Sequence, residues 1–306
     1  MWLSKIPAVR DCLPIDKGGN MAAIKYANLV KELSFRKGGG GANARELVFV
    51  QGEEMAGFDL NFIVGVYENT GDWAPNRGAH THPFDELLVF FGYTNDMNYL
   101  GSDMELAMGK EQEKHKFNVP SVIVAPKGVP HCPLVTEKVY RPFGHFHIAL
   151  SAKYSGDHVE QEGTTNGHKY THLFKKMPIK AGLGGADARQ LMTLSGADLE
   201  GLNINLMMGL FDKPGQWDAK KGKPAHVHPY DEAMVFFSLD QTDLGHLGAE
   251  LTVDIGEEHE KHTFSLPTVL AFPKGTPHFP IVCNKVERPY AVMQVGLGAK
   301  YQAAST

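Results

Sequence analysis

The sequence predicts an all-β protein built from two copies of one sandwich or barrel module. Three observations lead to this prediction. The chain has 306 residues, which is enough for two domains of ordinary size. Its second half repeats the pattern of its first half, and each half contains several short apolar or alternating segments. Many short strands at regular spacing are typical of antiparallel sandwiches and barrels.

An internal repeat covers most of the chain. The segment 25–154 reappears as 169–301, at first with an offset of 144 residues that aligns Trp73 with Trp217. Short insertions in the second copy raise the offset to 147 residues, which then persists to the end of the repeat. A repeat of this length predicts two domains with the same fold.

The ends of the repeat predict the domain boundaries. The stretch between the copies is polar and contains several Gly and Thr residues, as expected of a linker. The residues before the first copy have no counterpart in the second, and we expect them to pack on a barrel or on a neighbouring subunit. The predicted organisation is an N-terminal arm at 1–24, a first domain at 25–154, a linker at 155–168 and a second domain at 169–306.

Within each copy the local pattern indicates strands. The segments are apolar or alternating and are bounded by Gly, Pro, Asn or Asp. In the first copy they are LNFIVGVYE at 60–68, ELLVFFG at 86–92, FNVPSVIVAP at 117–126 and FGHFHIAL at 143–150. The second copy has LNINLMMGLF, EAMVFFS, FSLPTVLAFP and YAVMQVGL in the same order.

The composition and charge of the chain indicate its class of binding partner and its cellular location. The net charge is -5 without blocks of like charge, so we expect a small-molecule partner and neither nucleic acid nor a membrane surface. Cys12, Cys132 and Cys283 are far apart and form no CxxC pair, which favours a reducing compartment. The N-terminus lacks an apolar secretory core, and no long apolar run follows. These features predict a cytoplasmic protein.

Histidine is the residue type that indicates chemistry, because imidazole is the commonest metal ligand. His80, His82 and Glu86 are separated by even numbers of residues, so on a strand they share one face. His131 follows a Pro- and Gly-containing turn that directs it back into the barrel. The second copy repeats the set as His226, His228, Glu232 and His278.

Three imidazoles and one carboxylate suit a divalent transition metal and leave one or two coordination positions for substrate or water. We therefore predict up to one ion in each domain. Fe(II) or Mn(II) is preferred, with Ni(II), Co(II), Cu(II) and Zn(II) as alternatives.

These motifs resemble a known family. HxHxxxE, followed about 45 residues later by the end of PxGxxH, is similar to the paired motifs of the cupin superfamily, and two sets in one chain resemble a two-domain cupin, or bicupin. The resemblance covers most of each repeat and implies tandem double-stranded β-helix, or jelly-roll, barrels. Ala74 and Lys220 stand where the family usually has glycine, and Val135 and Val282 where it has asparagine. These departures argue against assignment to one activity.

The resemblance implies several functions. Two-domain members with this ligand set include oxalate decarboxylases and quercetin dioxygenases. We predict a metal-dependent enzyme for a small oxygen-rich organic acid or enol-type substrate, preferably a dioxygenase and therefore an oxidoreductase, with a decarboxylase or other lyase as second choice. Glu86 and Glu232 are candidate catalytic bases. A sugar or sugar-acid isomerase and a non-catalytic metal- or ligand-binding protein remain alternatives.

The copies differ after the last ligand. His145 and His147 occupy positions that are Val292 and Gln294 in the second copy. One hypothesis is that the two histidines provide acid–base chemistry or substrate contacts, which would make the first site the catalytic one. The alternative is that they are hydrogen-bonded histidines of the core or surface.

Other charged residues give weaker indications. Arg77, three residues before His80, and Arg141 are candidates for binding an anionic substrate, although surface arginines are common. The acidic segments around His115 and His262 are predicted to be solvated turns. A homodimer or higher homo-oligomer is expected, because exposed sheet edges often pair between subunits.

Overall fold

A computed structural model describes residues 9–11, 24–37, 43–74, 78–160, 162–163, 165–217 and 225–306. Over these residues the regular structure is almost entirely antiparallel β-strand, as the pattern of short segments predicts. In the same part of the chain, no helix is long and apolar enough to cross a membrane. The strands form two compact units.

The first unit contains residues Phe35–Met177. Its short 3-10 helices are Gly52–Glu54 and Thr171–Leu173. Its strands are β3 Arg36–Lys37, β4 Ala44–Val50, β5 Asn61–Tyr67, β6 Gly71–Asp72, β7 His80–Thr81, β8 Glu86–Gly92, β9 Ser102–Met108, β10 Glu113–Phe117, β11 Ser121–Ala125, β12 His131–Val139, β13 Phe143–Ala149, β14 Asp157–His158 and β15 Phe174–Lys176.

The second unit combines the described parts of 9–34 with Pro178–Thr306. Its 3-10 helices are Ala27–Leu29 and Gly196–Asp198. Its strands are β1 Val9–Asp11, β2 Val30–Leu33, β16 Lys180–Ala181, β17 Gln190–Leu194, β18 Asn205–Phe211, β19 Gly215–Gln216, β20 His226–Val227, β21 Glu232–Ser238, β22 Ala249–Ile255, β23 Glu260–Phe264, β24 Thr268–Phe272, β25 His278–Val286, β26 Tyr290–Gly296 and β27 Ala304–Ser305.

Each unit consists of two antiparallel sheets. Over the described residues of the first unit, one sheet has the order β15-β11-β8-β13-β5-β4-β3 and the other β10-β9-β12-β7-β14, with β6 also paired to β12. In the second unit the described strands follow β1-β2-β24-β21-β26-β18-β17-β16 and β23-β22-β25-β20-β27, with β19 paired to β25. The two units therefore have equivalent topology, as the internal repeat predicts.

The core of each unit is formed by its central strands. Strands β8 and β13 of the first unit, and β21 and β26 of the second, are buried at every position. Burial of apolar surface contributes about 25 cal/mol for each Å² removed from water, so these strands supply much of the stability of the fold. Strand β8 begins with Glu86 and strand β21 with Glu232, so the buried sheet also positions the candidate metal site.

The compact units differ from the repeat boundaries predicted at 25–154 and 169–306. In the second unit β2 pairs with β24, with Val30 opposite Leu270. In the first unit β15 pairs with β11, with Phe174 opposite Ile123. The first segment of each sequence repeat is thus an edge strand in the unit that contains the barrel of the other repeat.

Specific polar contacts hold the edge segment in the first unit. Glu113 accepts hydrogen bonds from the backbone N–H groups of Lys169 and Tyr170, each at 3.1 Å. His115 lies 2.8 Å from the Glu113 carboxylate and stacks on Phe174. The prediction that His115 lies in a solvated turn is therefore wrong, because the ring is buried and helps to orient the carboxylate that binds the segment.

The second unit repeats these contacts. Glu260 accepts hydrogen bonds from the backbone N–H groups of Lys25 and Tyr26, each at 3.0 Å. His262 donates to the same carboxylate at 2.7 Å and is also buried, so its assignment to a solvated turn is wrong as well. In both units, a glutamate that precedes a buried histidine on the same strand therefore marks the attachment point of the edge segment.

Candidate metal centres

The four predicted ligands of the first unit come from both of its sheets. His80 lies in β7 and His131 begins β12, and these two residues are paired directly across the strands. Glu86 begins β8, which belongs to the other sheet. The prediction that His80 and Glu86 share one face of one strand is wrong. The chain passes from one sheet to the other between them, and the side chains converge because the sheets face each other.

The imidazole rings of the three predicted histidine ligands in the first unit form a compact triangle. The ring centroid of His80 lies 4.9 Å from that of His82 and 4.5 Å from that of His131, and the last two are 5.2 Å apart. Glu86 joins them, with Oε1 3.3 Å from His82 Nε2 and Oε2 3.1 Å from His131 Nε2. The structure thus brings all four predicted residues together.

The second unit has almost the same geometry. The centroid distances are 4.9 Å for His226 and His228, 4.5 Å for His226 and His278, and 5.1 Å for His228 and His278. The Glu232 carboxylate lies 3.2 Å from Nε2 of His228 and 3.2 Å from Nε2 of His278. The ligand atoms of the three histidines lie within 4.8 Å of one another, as one ion requires.

The backbone directs the last histidine of each set into the barrel. The register of β12 shifts between His131 and Leu134, and Cys132 has φ +77°. Phe279 takes the same place in the second unit, with φ +88°. Residues other than glycine seldom adopt this conformation, and a bulge with such a residue reorients the neighbouring side chain. The Pro- and Gly-containing turn that the sequence predicts is one part of this arrangement.

Backbone carbonyl groups fix the ring orientation of four ligands. In each ring Nδ1 donates to a carbonyl oxygen, which leaves Nε2 as the nitrogen available to a metal. These pairs are His82 with Ser155 at 2.5 Å, His131 with Val129 at 3.2 Å, His228 with Gln302 at 2.5 Å and His278 with Thr276 at 2.9 Å.

One side of His82 is closed by backbone. A Cβ atom placed on Gly156 would lie 2.7 Å from Cε1 of the His82 ring, so only glycine permits this close approach. Gly156 follows Ser155, whose carbonyl oxygen holds the same ring. Part of the predicted linker therefore forms a wall of the first site, and its strand β14 pairs with β7, with His158 opposite His80.

Several buried polar atoms of the sites are explained by a bound ion. Among the described residues, His82 Nε2, Glu86 Oε2 and His278 Nε2 are buried without a hydrogen bond. An unsatisfied buried polar group costs about 1–3 kcal/mol, and such groups are rare in folded proteins. These three atoms belong to the two sets of nitrogen and oxygen ligands. The residues present therefore fit a divalent metal.

The protonation states also suit a cation. Burial and the neighbouring His131 and His82 lower the pKa of His80 to about 3. Burial likewise lowers the pKa of His82. Both rings are therefore neutral at pH 7, which is the form that binds a metal.

The carboxylates are ionised. Burial acts to raise the pKa of Glu86, but the adjacent His147 and His131 outweigh it and hold that pKa well below its ordinary value. For Glu232 the close approach of His228 and His278 outweighs burial in the same way and lowers the pKa to about 2. Each site thus places one anionic oxygen ligand beside its three histidines.

His147 lies directly against the metal-site carboxylate. Its Nε2 is 2.7 Å from Glu86 Oε1, and the residue is 8% exposed. In the second unit Gln294 Nε2 donates to Glu232 Oε1. The structure places the His147 ring in contact with the carboxylate of the first site, and its acid–base or substrate role stays a prediction.

His145 is placed differently. Its Nδ1 donates to the backbone carbonyl of Val89 at 3.1 Å, and the ring lies 5.0 Å from that of Trp73 and 4.4 Å from that of Phe90. Burial lowers its pKa to about 3, with a further contribution from His147. These contacts support the alternative of a neutral histidine in the barrel wall over acid–base chemistry at this residue.

Of the two predicted substrate-binding arginines, the structure describes only Arg141. Arg77 lies outside the described residues. Arg141 donates to the backbone carbonyl of Tyr99 at 2.9 Å, and its guanidinium lies 4.2 Å from the centroid of the Tyr99 ring. It does not line the cavity of the first centre in the described part of the chain. Its role is therefore packing on Tyr99 rather than the predicted substrate contact.

Each centre opens into a cavity. The first cavity has a volume of about 400 Å³ and is lined by all four predicted ligands, His145 and His147 among others. The second has a volume of about 720 Å³ and is lined by His226, His228 and Glu232 together with many apolar side chains. A small molecule can therefore reach the ligand atoms at both centres.

Sequence reasoning missed two groups at the sites. Tyr154 and Tyr301 lie 5.0 and 5.3 Å from the rings of His82 and His228, and both line the cavities. The carbonyl groups of Ser155 and Gln302 orient the same two histidines. The tyrosines could have been predicted, because Ala-Lys-Tyr is repeated at the end of each copy. The carbonyl groups could not, because every residue has a backbone carbonyl.

The paired sheets, together with a three-histidine, one-glutamate cluster in each unit, define the two-domain cupin fold. The chain is a bicupin in its fold, as its motifs predict. No sequence-family model matches the chain, and no match is found among the curated proteins.

The similarity to solved structures agrees with this class. Bacillus subtilis oxalate decarboxylase at pH 4.6 superposes with a TM-score of 0.58 and 11% identity, over 89% of this chain and 76% of that one. A mutant of the same enzyme gives a TM-score of 0.59 and 11% identity, over 89% and 77%. A third structure of the enzyme, described for its Mn(II) centres, gives 0.58 and 11% over 89% and 77%. At this identity the likeness establishes the fold.

Proposed function

We propose that the protein is a metal-dependent bicupin enzyme that acts on a small oxygen-rich organic acid or enol-type substrate. Dioxygenase chemistry is the first choice and decarboxylation, or another lyase reaction, the second. The observation that carries the proposal is the position of the ligand atoms at the wall of a cavity. Four protein ligands leave one or two coordination positions of the ion for a substrate that enters from that side.

His80, His82, Glu86 and His131 would hold the ion at the first centre, and His226, His228, Glu232 and His278 would hold it at the second. Fe(II) or Mn(II) is preferred. When bound, the ion supplies Lewis-acid activation of the substrate oxygen atoms. In four of the histidines, a hydrogen bond from Nδ1 to a backbone carbonyl holds the ring so that Nε2 faces the ion.

Glu86 is the proposed base at the first centre. His147 holds Oε1 at 2.7 Å, so this oxygen stays in place even when Oε2 moves to accept a proton from the substrate. Gln294 holds Oε1 of Glu232 in the same manner at the second centre. The residue that contacts the carboxylate therefore determines how easily each base is released for proton transfer.

Decarboxylation is a specific second candidate. The structures most similar in fold that are described above are oxalate decarboxylases, and the cavity of about 400 Å³ at the first centre suits a small acid. No Lys or Arg lines either cavity among the described residues. A carboxylate substrate would therefore be neutralised chiefly by the ion itself.

The decisive test begins with the metal content of protein purified without chelators, counted per chain for wild type, His80→Ala and His226→Ala. Substrate loss, oxygen consumption and CO₂ release are then measured with a panel of carboxylates, catechols, sugars and sugar acids. Oxygen consumption supports a dioxygenase, and CO₂ release without it supports a decarboxylase. Turnover with neither supports a sugar or sugar-acid isomerase. Fully occupied, closed coordination without turnover contradicts the enzyme proposal and favours a binding protein.

The remaining expectations belong to the same proposal. A small-molecule substrate is supported by the two cavities. A cytoplasmic location is supported by the separated cysteines, and a homodimer or higher homo-oligomer by the open edges of the sheets. Fractionation of the source cells and sedimentation of the purified protein test these two points.

A further inference from the structure

The two centres have the same ligand geometry and different cavities. We propose that they divide substrates by size, and that the second centre takes a molecule with a chelating oxygen head and a bulky apolar or aromatic body. This inference rests on the proposed metal-dependent function and assigns a substrate class to one of the two centres. The first centre would take a small polar substrate.

The volumes support this division. The cavity at the second centre is about 720 Å³, against about 400 Å³ at the first. Cavities that bind organic ligands commonly measure about 300–1,000 Å³. The first cavity is near the lower limit of that range, whereas the second has room for a body of two rings beyond the head that reaches the ligand atoms.

The residues at equivalent positions explain the character of the second cavity. Ile63 of the first cavity is replaced by Met207, and Cys132 is replaced by Phe279. Methionine is unbranched and polarisable, so it adapts to apolar ligands of different shapes. The Phe279 ring is 4.8 Å from that of His226, so it provides an apolar surface directly beside the metal ligands.

Residues on two neighbouring strands also differ between the cavities. His147 of the first cavity corresponds to Gln294, and Tyr67 corresponds to Phe211, which lacks the hydroxyl group. Met207 is paired with Gln294 across β18 and β26, and both side chains line the second cavity. The second cavity thus offers more apolar surface than the first.

An exposed apolar side chain also lines the second cavity. Leu183 is 63% exposed, and Leu191 and Tyr301 are further apolar or aromatic lining residues. A large apolar side chain is costly to leave in water, and exposed apolar surface at a cavity mouth is typical of ligand-binding sites. Leu183 is therefore placed to cover the outer end of a long apolar substrate.

Two hydroxamates test the proposal with the full chain loaded with Mn(II). Acetohydroxamate and 2-naphthohydroxamate have the same chelating head and differ only in the apolar body. His80→Ala confines binding to the second centre and His226→Ala confines it to the first, with one ion per chain verified for each. Dissociation constants come from calorimetry and from quenching of Trp217 or Trp73 fluorescence, because each of these rings lines one cavity.

The His80→Ala protein is expected to bind the naphthyl compound at least about tenfold more tightly than the acetyl compound, because the second cavity buries the additional rings. The His226→Ala protein is expected to show no such preference. A naphthyl preference that is equal at both centres, or present only at the first, overturns the inference.

Matched substitutions locate the effect. Met207→Gln keeps the length of the side chain and adds a polar end, so we expect about a fivefold loss of naphthyl binding with acetyl binding unchanged. Ile63→Gln at the equivalent position of the first cavity is the control and should leave the second centre unaffected. An unchanged naphthyl affinity in the Met207→Gln protein contradicts the proposal.

The two proposals fail in different ways. If the naphthyl preference is found but no substrate is turned over, the proposed enzyme function fails while the assignment of ligand class to the second centre holds. If neither hydroxamate binds the metal-treated protein, both fail together. If turnover is found without a naphthyl preference, only the division of substrates is lost.

Discussion

His147 Nε2 lies 2.7 Å from Glu86 Oε1, in the position where Gln294 donates to Glu232 in the other half of the chain. A residue on the last long strand of each barrel thus holds the carboxylate of the metal site. An imidazole and an amide hold it with different strength and different capacity to transfer a proton. This contact is the main chemical difference next to the two carboxylates.

Removal of the imidazole should weaken the first centre. His147→Ala leaves Glu86 Oε1 buried without this contact, and loss of such a partner commonly lowers metal affinity about 10- to 100-fold. Metal dissociation constants measured with a competing chelator check the prediction. His147→Gln, which copies Gln294, should retain most of the affinity. Equal affinities for wild type and His147→Ala would exclude a positioning role for His147.

Removal of the metal should destabilise the fold. A ligand that binds only the folded state stabilises it by about 2.7 kcal/mol at a concentration about one hundred times its dissociation constant. We therefore expect the chelated protein to unfold at a lower temperature in a thermal scan. His80→Ala and His226→Ala should each lose about half of this difference, one centre at a time. A melting temperature that neither the chelator nor restored metal changes would contradict this expectation.

His145 should make the fold sensitive to acid. Its pKa is lowered to about 3 in the folded state, mainly by burial, whereas an unfolded histidine titrates near about 6.5. The unfolded state therefore binds a proton first as the pH falls, and the stabilisation present above about pH 6.5 is lost progressively toward pH 3. For one such group the loss between pH 7 and pH 5 is about 2 kcal/mol.

The matched substitution is His145→Val, which copies Val292. The free energy of unfolding of chelated protein is measured by urea titration at pH 7 and pH 5 for both proteins. The variant should lose about 2 kcal/mol less than wild type over this interval. Parallel losses in the two proteins would show that His145 does not titrate as its surroundings indicate.

The compact units predict where the chain can be cut. A fragment of residues 35–177 retains β15 on β11 and should fold cooperatively, as measured by circular dichroism and size-exclusion chromatography. A fragment of 25–154, which follows the sequence repeat, lacks β15. Its strand β11 becomes an exposed edge, so we expect aggregation. Similar folding of both fragments would show that the edge strand contributes little.

The ligands could be predicted from the sequence because they depend on local spacing that occurs twice. His80 and His82 with Glu86, and the distant His131, appear at equivalent positions in both copies. The sequence could not predict that these ligands come from two facing sheets. Glu86 lies six residues after His80 whether the strand continues between them or a turn leads to the other sheet. The even separation gave the correct set of residues for an incorrect geometric reason.

The partner of each edge segment could not be predicted either. Lys25-Tyr26 and Lys169-Tyr170 are identical dipeptides, and the glutamates that bind them, Glu260 and Glu113, occupy equivalent positions in the repeats. Any pairing of segment and barrel satisfies the same local contacts. The cavity volumes are equally beyond the sequence, because they depend on side chains from many strands and loops packed together.

The backbone at Ser155 and Gly156 leaves His82 no space to swing outward on that side. With that side blocked, we expect an ion at the first centre to enter and leave through the cavity, the route proposed for a substrate. A compound bound in the cavity would block this route. We therefore expect acetohydroxamate to slow the removal of metal by a chelator in the His226→Ala protein. Replacement of Gly156 by alanine would push against the ring and make the ion easier to extract.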